Sequence, residues 1–508
     1  MHSHFPGPAS SDPPPTLCTR RGRKLPKRRR TNSLSTPMLQ GGHRLSKLWR
    51  SPITPLFNLC HRLLINFKFS SLSQAKGLDS LDEECEEFLP WLERKAGVEI
   101  SSVLSIGKSA YGRSLFASEI IRTGDCISKV PYSVQITPDN LLPKIKALLS
   151  NKVGTVAKLA IILLVEQKMG QDSEWASYIS CLPQHGEIHS TIFWSEYELD
   201  MIRQSSVYQE TINQKSKIEE DFAAVVPVLE QFPEIFESIT LKDFMRAYFL
   251  VTSRAWESTK GLSLIPFTDF MNHDGVSDSI VLFDEDKKLS EVIADRNYVP
   301  GQEVLINYGN FPNATLPLDF GFTLPYNIHD QVQIHFNIPY HDCLREMKLE
   351  LLQQHSTPKL KDAINCSEDT FLIKEVRSPR GKGKGLPQSL RAFARVLCCT
   401  APEELSDLAM EAAQMDGRLA RQPLKDSRRE LLAHEMLLSH ITHLMQKYDV
   451  AIKSLAPANF PSMSKKFALR RQMAHDLLTG ELRVLNSASA WLNNYCAALR
   501  ATIHCQSQ

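Results

Sequence analysis

Residues 266–275 read PFTDFMNHDG, and the role of these ten residues decides how the rest of the chain is organised. Phe267, Phe270 and Met271 carry the chain toward a core, and then Asn272, His273 and Asp274 arrive together at the end of the apolar run. Asn and Asp bond their own backbone and tolerate left-handed conformations, so a surface turn closed by Gly275 is one reading. The other is a buried polar cluster, whose atoms demand hydrogen-bond partners from elsewhere in the molecule. Flanking segments have to decide between them.

Short β-prone runs lie on both sides. Upstream, ISSVLSI, SLFAS and CISKVPYSVQI fill residues 100–136 between turn signals at Gly107, Gly112 and Thr123-Gly124-Asp125. Downstream, SIVLF and SEVIA flank the polar turn DEDKK as a hairpin, and EVLINY follows the turn signal Pro300-Gly301 as a further strand. Between the two β blocks, residues 138–257 have helical period and composition, with VAKLAIILLVEQKM and LKDFMRAYFLVTSRAW the clearest segments. If both blocks belong to one sheet system, the helices between them are an insertion. From about residue 336 onward the pattern is helical again, through LREMKLELLQQH, SLRAFARVLCC, LLAHEMLLSHITHLMQKY and a long segment over 464–499.

The chain has 508 residues, which suits two or three domains of about 150 residues each. An apolar fraction of 42% and a charged fraction of 23% are those of a soluble globular protein, and no apolar window is long enough for a membrane span. Residues 1–77 hold fourteen Lys or Arg and a single acid, Asp12, among many Ser and Pro. That composition fits an organellar transit peptide, although RRGRKLPKRRR at 20–30 also fits a nuclear or nucleic-acid signal. Folded chain is expected from Ser80, where S-L-D-E forms a capping box, and Gly97 closes the first helix. The cysteines are scattered without C-x-x-C pairs or zinc spacing, which points to a reducing compartment, no metal site and no disulfides.

Several chemistries are excluded. The loop RGKGKG lacks the buried strand before it and the helix start after it that a dinucleotide cradle needs, so it reads as a solvated loop. There is no G-x-S-x-G elbow, and His273 with Asp269 or Asp274 supplies too few ligands for a metal hydrolase.

Three separated segments remain: YGRSLFA (111–117), IPFTDFMNHD (265–274) and GQEVLINYGNFPNATLPLDFGF (301–322). In type and order they resemble the signature segments of SET-domain protein-lysine methyltransferases, and specifically the plant Rubisco large-subunit lysine methyltransferase-like subfamily. The resemblance covers roughly residues 80–500. It implies an α+β fold: a SET-domain β-fold of small sheets with a knot-like crossing over 78–335, split by a helical insertion at about 138–240. An all-α substrate-binding domain over 336–500 and a tail over 501–508 would follow. It implies S-adenosylmethionine as cofactor, a protein presenting a lysine as substrate, and neither a metal nor nucleic acid among the partners. For a plant subfamily the leader's expected address is the chloroplast, with mitochondrion the alternative and nucleus third.

Carried over position by position, Tyr111, Gly112 and Arg113 would face the cofactor through main-chain groups, Arg254 would contact its carboxylate, and Asn272 and His273 would bond its adenine. Asp269 and Phe320 match positions near the substrate lysine, and Tyr308 matches the catalytic tyrosine. The reaction implied is an in-line displacement by a neutral amine on a methyl sulfonium, so the lysine must lose its proton; an ordinary lysine pKa is ~10.4, and an apolar channel lowers it. Two residues depart from the family pattern: Ser114 stands where a second Gly is usual, and Phe320 where a Tyr is usual. Together with the basic leader they motivate an alternative, a catalytically inactive SET-fold scaffold or binding protein; Phe320 also predicts a changed number of methyl groups added.

Overall fold

The computed structural model describes residues 20, 21, 23, 24, 85–109, 112–149, 153–236, 239–258, 261–355, 370–415, 417, 419, 423–455 and 464–506. Most of the leader, the capping box at Ser80 and Tyr111 lie outside the described residues. Two short strands, β1 (Arg20–Arg21) and β2 (Arg23–Lys24), come first. Helix α1 (Phe88–Ala96) buries Phe88 and Leu92 and ends as its sequence demands: Gly97 takes a left-handed conformation, φ 69°, and its N–H donates to the Glu93 carbonyl.

Strands β3 (Leu104–Ser109) and β4 (Gly112–Ala117) form an antiparallel hairpin, followed by β5 (Cys126–Pro131). The helical stretch then contributes α2 (Thr155–Met169), α3 (Ala176–Cys181), α4 (Ser206–Leu229) and α5 (Leu241–Arg254). Helix α2 is apolar on every face and buries nine residues between Val156 and Val165, the pattern of a helix enclosed by others. Helix α5 opens with a reciprocal capping box between Thr240 and Asp243. β6 (Trp256–Ser258) and β7 (Gly261–Ser263) form one small antiparallel pair; β8 (Val281–Asp284) and β9 (Leu289–Ile293) form the hairpin expected around DEDKK. β9 pairs antiparallel with β5, Lys129 opposite Glu291, so chain from before and after the helices shares one sheet of order β2-β8-β9-β5. The helices are therefore an insertion.

The C-terminal region is built on β10 (Gln331–His335), α6 (Arg345–His355), β11 (Thr370–Lys374), α7 (Gln388–Leu397), α8 (Pro402–Met415), α9 (Ser427–Ser454) and α10 (Lys465–Gln506). It departs from the all-helical expectation, because β11 pairs antiparallel with β10. The partner lies some 35 residues upstream, beyond the reach of a local periodicity argument. Helix α10 also runs through the expected tail as far as Gln506.

One apolar core joins α1, the small sheets and most of the insertion; a second joins β10, β11, α7, α9 and α10, and takes Trp194, Leu199, Ile202 and Val207 from the insertion. Arg470 on α10, only 2% exposed, locks the two together: its Nη1 donates to the Phe193 carbonyl (3.0 Å) and to Glu198 Oε2 (2.8 Å). Cys85 and Cys181 are joined as a disulfide, Cα–Cα 6.0 Å, which corrects the expectation of none. They sit 96 positions apart, and only the packing of the segment before α1 against α3 brings them together.

Candidate functional site

The segment after Pro300-Gly301 forms no regular strand because it changes partners midway. The Gly301 N–H donates to Ala117 O, the Ala117 N–H to Gln302 O and the Val304 N–H to Leu115 O, so its first half runs antiparallel to β4. Its second half turns to the residues quoted at the outset: the Ile306 N–H donates to Asn272 O, the Asp274 N–H to Ile306 O, and His273 and Ile306 form a parallel bridge. Residues 301–308 are thus drawn between β4 and the 272–274 turn, and three distant stretches of sequence meet.

At that meeting point His273 and Tyr308 are direct neighbours, ring centroids 5.1 Å apart. The Tyr308 N–H donates to His273 Nδ1 (3.1 Å), which makes the ring neutral with its proton on Nε2. The Tyr308 hydroxyl donates to the Met271 carbonyl at 2.6 Å. Around the phenol stand Trp256, edge-on at 6.0 Å, Phe320 at 5.3 Å and Phe322 at 6.5 Å. Phe320 is therefore a direct ring neighbour of Tyr308.

Asn272 Nδ2 donates to Glu303 Oε1 (3.0 Å) and Ser109 Oγ (3.2 Å). Asn272 and His273 thus have partners within the chain. Asp274 keeps the turn role: its Oδ1 accepts from the Val276 N–H and its Oδ2 from Arg296 (2.9 Å). Burial works against the charge on Arg296, but Tyr298 and Asp274 outweigh it and hold the guanidinium above the usual arginine range. Upstream, Phe267 sits at φ 74°, a strained conformation for a residue with a Cβ, held by complete burial of its ring.

Arg254 at the end of α5 faces inward. Its Nη1 donates to both Asp269 Oδ2 (3.2 Å) and Asp269 O (3.1 Å), and its guanidinium lies over the Phe270 ring. Asp269, with its side chain fully buried, also accepts from the Tyr178 hydroxyl at 2.7 Å. Arg113 reaches to the Cys181 carbonyl at the end of α3 (3.2 Å). Gly112 has φ 103°, and a Cβ there would meet no atom within 4 Å, so the hairpin end presents bare main chain to open space. Ser114, by contrast, is fully buried, and its hydroxyl has no hydrogen-bond partner among the described residues.

Sequence reasoning missed Tyr178, Glu303, Ser109 and Trp256. Trp256 had a signal, since it follows Arg254 by two positions; Tyr178 had none, being 91 positions from Asp269. Two surface clefts of about 300 Å³ each lie elsewhere, one lined by Gln167, His185, Lys242 and Arg246, the other by Phe222, Leu229 and Phe236. Neither borders His273 or Tyr308. Among the described residues no group of three or more His, Cys, Asp or Glu is placed to hold a metal, and no helix is long and apolar enough to cross a membrane.

Comparison with known proteins meets this geometry. Residues 112–309 match the SET domain family and residues 339–485 match the Rubisco LSMT substrate-binding family. The chain is 27% identical over 328 residues to the chloroplastic Rubisco large-subunit N-methyltransferase of Pisum sativum, covering 59% of this chain and 64% of that protein. It is 28% identical over 290 residues to the chloroplastic fructose-bisphosphate aldolase-lysine N-methyltransferase of Arabidopsis thaliana, covering 54% and 59%. It is also 25% identical over 362 residues to the actin-histidine N-methyltransferase of Mus musculus, covering 66% and 57%. The chain thus spans less than two thirds of the length of these curated relatives. A crystal structure of the SET domain of LSMT bound to lysine and AdoHcy superposes with a TM-score of 0.64 at 22% identity, covering 82% of this chain and 93% of that one. A structure of Rubisco LSMT with sinefungin and monomethyllysine gives 0.65 at 22% identity, covering 82% and 93%. The chain therefore carries a SET domain followed by a Rubisco LSMT substrate-binding domain, and is homologous to Rubisco LSMT and other SET methyltransferases.

Proposed function

We propose that this chain is an S-adenosylmethionine-dependent protein-lysine N-methyltransferase acting on a non-histone protein. The observation that carries the reading is the Tyr308 phenol, fixed on the Met271 carbonyl, walled by Trp256, Phe320 and Phe322, and adjoining the His273 ring.

The residues present fit the cofactor. Bare main chain at Gly112 faces open space, and the half-buried Asn272, with His273 next in sequence, bonds Ser109, the residue opposite Gly112 in the hairpin. Gly112, Arg113, Asn272 and His273 would hold the nucleoside, with Arg254 toward the amino-acid end; Tyr111, which lies outside the described residues, belongs to the same turn in the family pattern. When bound, S-adenosylmethionine supplies an electrophilic methyl on a positively charged sulfur.

The chain's own contribution follows from the contacts. Because its proton is committed to Met271, the Tyr308 oxygen has lone pairs left to accept from an amine N–H and so to orient the nitrogen. Aromatic walls disfavour an ammonium by desolvation, lowering the lysine pKa and favouring the nucleophilic form. Holding two reacting atoms in line is worth several kcal/mol by itself. Asp269, bonded by Arg254 and Tyr178, fixes the chain two residues before Met271, whose carbonyl holds the Tyr308 hydroxyl.

The leader's basic, acid-poor composition and the chloroplastic location in the names of the plant relatives support a chloroplast address. A fluorescent fusion of residues 1–77 tests that address. The principal test is calorimetric binding of S-adenosylmethionine followed by transfer of tritiated methyl into Rubisco, aldolase and actin. Absence of binding refutes the reading. Binding without transfer to any protein in an organelle extract favours the inactive scaffold that buried Ser114 and the missing Tyr at 320 motivate, and label on histidine assigns the chemistry of the actin-directed relatives.

A further inference from the structure

The cleft lined by Gln167, His185, Lys242 and Arg246 holds a positive charge without a counter-ion. Arg246 is only 9% exposed. Its Nη1 donates to Gln167 Oε1 (3.0 Å) and its Nη2 to the Pro183 carbonyl (2.8 Å), while its Nε has no partner, so every group it bonds is neutral. Among the described residues it forms no ion pair. A buried guanidinium is ordinarily paired, because a stranded charge in the interior costs more than two bonds to neutral acceptors return. Burial pushes Arg246 below the usual arginine range, and Asp243 and Glu187 oppose that only from a distance.

The surroundings add to this charge. Lys242 is exposed and stands one turn before Arg246 on the same face of α5. Lys466, in the first turn of α10, reaches the same place: burial first, then Lys242, Arg246 and Lys466, hold His185 below the usual histidine range. Both nearby acids are already engaged. Asp243 Oδ2 accepts from the Thr240 N–H (3.0 Å) and hydroxyl (2.7 Å) to cap α5, and Glu187 Oε2 accepts from the Gln184 N–H (2.8 Å). The start of α5 contributes the positive end of its dipole as well. A concave wall that gathers like charges from three elements concentrates an anion.

We propose that this cleft binds a small phosphate monoester, whose phosphoryl group takes Arg246 and Lys242 as counter-ions and whose polar remainder lies against Gln184. Its volume of about 300 Å³ exceeds what inorganic phosphate fills and matches the smallest organic ligand sites. No aromatic ring other than the His185 imidazole lines it, so a nucleobase finds no stacking platform there. The site is separate from His273 and Tyr308 and does not depend on the methyltransferase reading. A bound ester supplies the missing negative charge and ties α2, α5 and the 183–187 turn together, stabilising the fold by mass action.

Calorimetry on the full chain with glucose 6-phosphate, inorganic phosphate and glucose tests the site. The ester is expected to bind, inorganic phosphate to bind more weakly and glucose not at all. Affinity for the ester is expected to fall about ten-fold in Lys242→Gln, an exposed position, and to weaken with added salt. Melting curves at matched ionic strength separate a site from a general salt effect: glucose 6-phosphate is expected to raise the melting temperature of the wild type and to leave that of Arg246→Met unchanged. Without ligand, Arg246→Met is expected to melt no lower than the wild type, because the stranded charge is gone. No heat with either phosphate, or an equal rise in Arg246→Met, overturns the site. Equal affinity for the two phosphates overturns the ester as its ligand. A ligand-free Arg246→Met that melts well below the wild type, or does not fold, overturns the counter-ion argument, and the Lys242→Gln affinity then decides the site by itself: unchanged binding overturns it.

Discussion

Removing the Asp269 carboxylate tests the part of the site that its sequence concealed. Its side chain is fully buried, that of Arg254 is 13% exposed, and Oδ2 accepts at once from Arg254 Nη1 and the Tyr178 hydroxyl. In Asp269→Ala the guanidinium keeps the main-chain oxygen of residue 269 but loses its counter-ion, and the Tyr178 phenol loses this acceptor. Breaking a buried pair from one side costs about 3–5 kcal/mol, and the small exposure of Arg254 places this case near the lower figure. In Asp269→Asn an oxygen remains for one donor and the cost falls to about 1–2 kcal/mol. At roughly 2–4 °C per kcal/mol for a domain of this size, the alanine variant is expected to melt about 6–12 °C lower. The decisive assay is a double-mutant cycle by urea unfolding. Adding Arg254→Met to Asp269→Ala removes the stranded charge, so the double variant is expected to be more stable than the sum of the singles by about 1–3 kcal/mol. Simple additivity, or a loss below about 1 kcal/mol in Asp269→Ala, would refute the reasoning.

Tyr308→Phe keeps the ring packing and deletes one buried hydroxyl; methyl transfer is expected to fall about ten- to hundred-fold while the affinity for S-adenosylmethionine by calorimetry stays the same, and wild-type turnover would remove the orienting role. Phe320→Tyr adds a hydroxyl next to Tyr308, where one hydrogen bond of about 0.5–1.5 kcal/mol shifts the partition between mono- and multiply methylated product about two- to twelve-fold by mass spectrometry; an identical product distribution sinks the idea. Glu481, buried with Ser205 and Tyr448 as donors, has its pKa pushed up by burial from 4.5 to about 8, so the folded form keeps the proton while the unfolded chain gives it up. Stability is therefore lost as pH rises from about 4.5 to 8, and Glu481→Gln should abolish that slope, gaining up to about 4 kcal/mol near pH 7.5; melting curves that stay parallel across pH 5–8 contradict this.

Local signals were legible in the sequence and distant ones were not. Gly97 ending α1, Thr240 and Asp243 capping α5, the unbroken apolar face of α2 and the DEDKK hairpin each declare themselves within a few residues, and each forms as its residues dictate. EVLINY has the composition of a strand, yet it pairs first with β4 and then with residues 272–274, and no single ladder runs its length. Period-two reasoning cannot foresee a change of partner. The Tyr178–Asp269 bond, the Cys85–Cys181 bridge and the β10–β11 ladder share the same cause, since each depends on how the insertion or the C-terminal helices come to rest. Arg254 lies at the end of the expected helix, and the Asp269 carboxylate that it bonds, fifteen residues on, had no local signal in the sequence.

The insertion is more than an interruption of the β-fold, because both walls of the Asp269 clamp belong to it. Tyr178 comes from α3 and Arg254 from the end of α5, so Asp269 is held by helices, whereas His273 and Tyr308 lie on irregular segments joined by an isolated bridge. The same insertion is gripped from the other side: Arg470 of α10 bonds Phe193 and Glu198, and Glu481 of α10 accepts from Ser205. The buried Arg470–Glu198 pair, which costs desolvation on both sides, holds the two regions in one relative position more than it stabilises either.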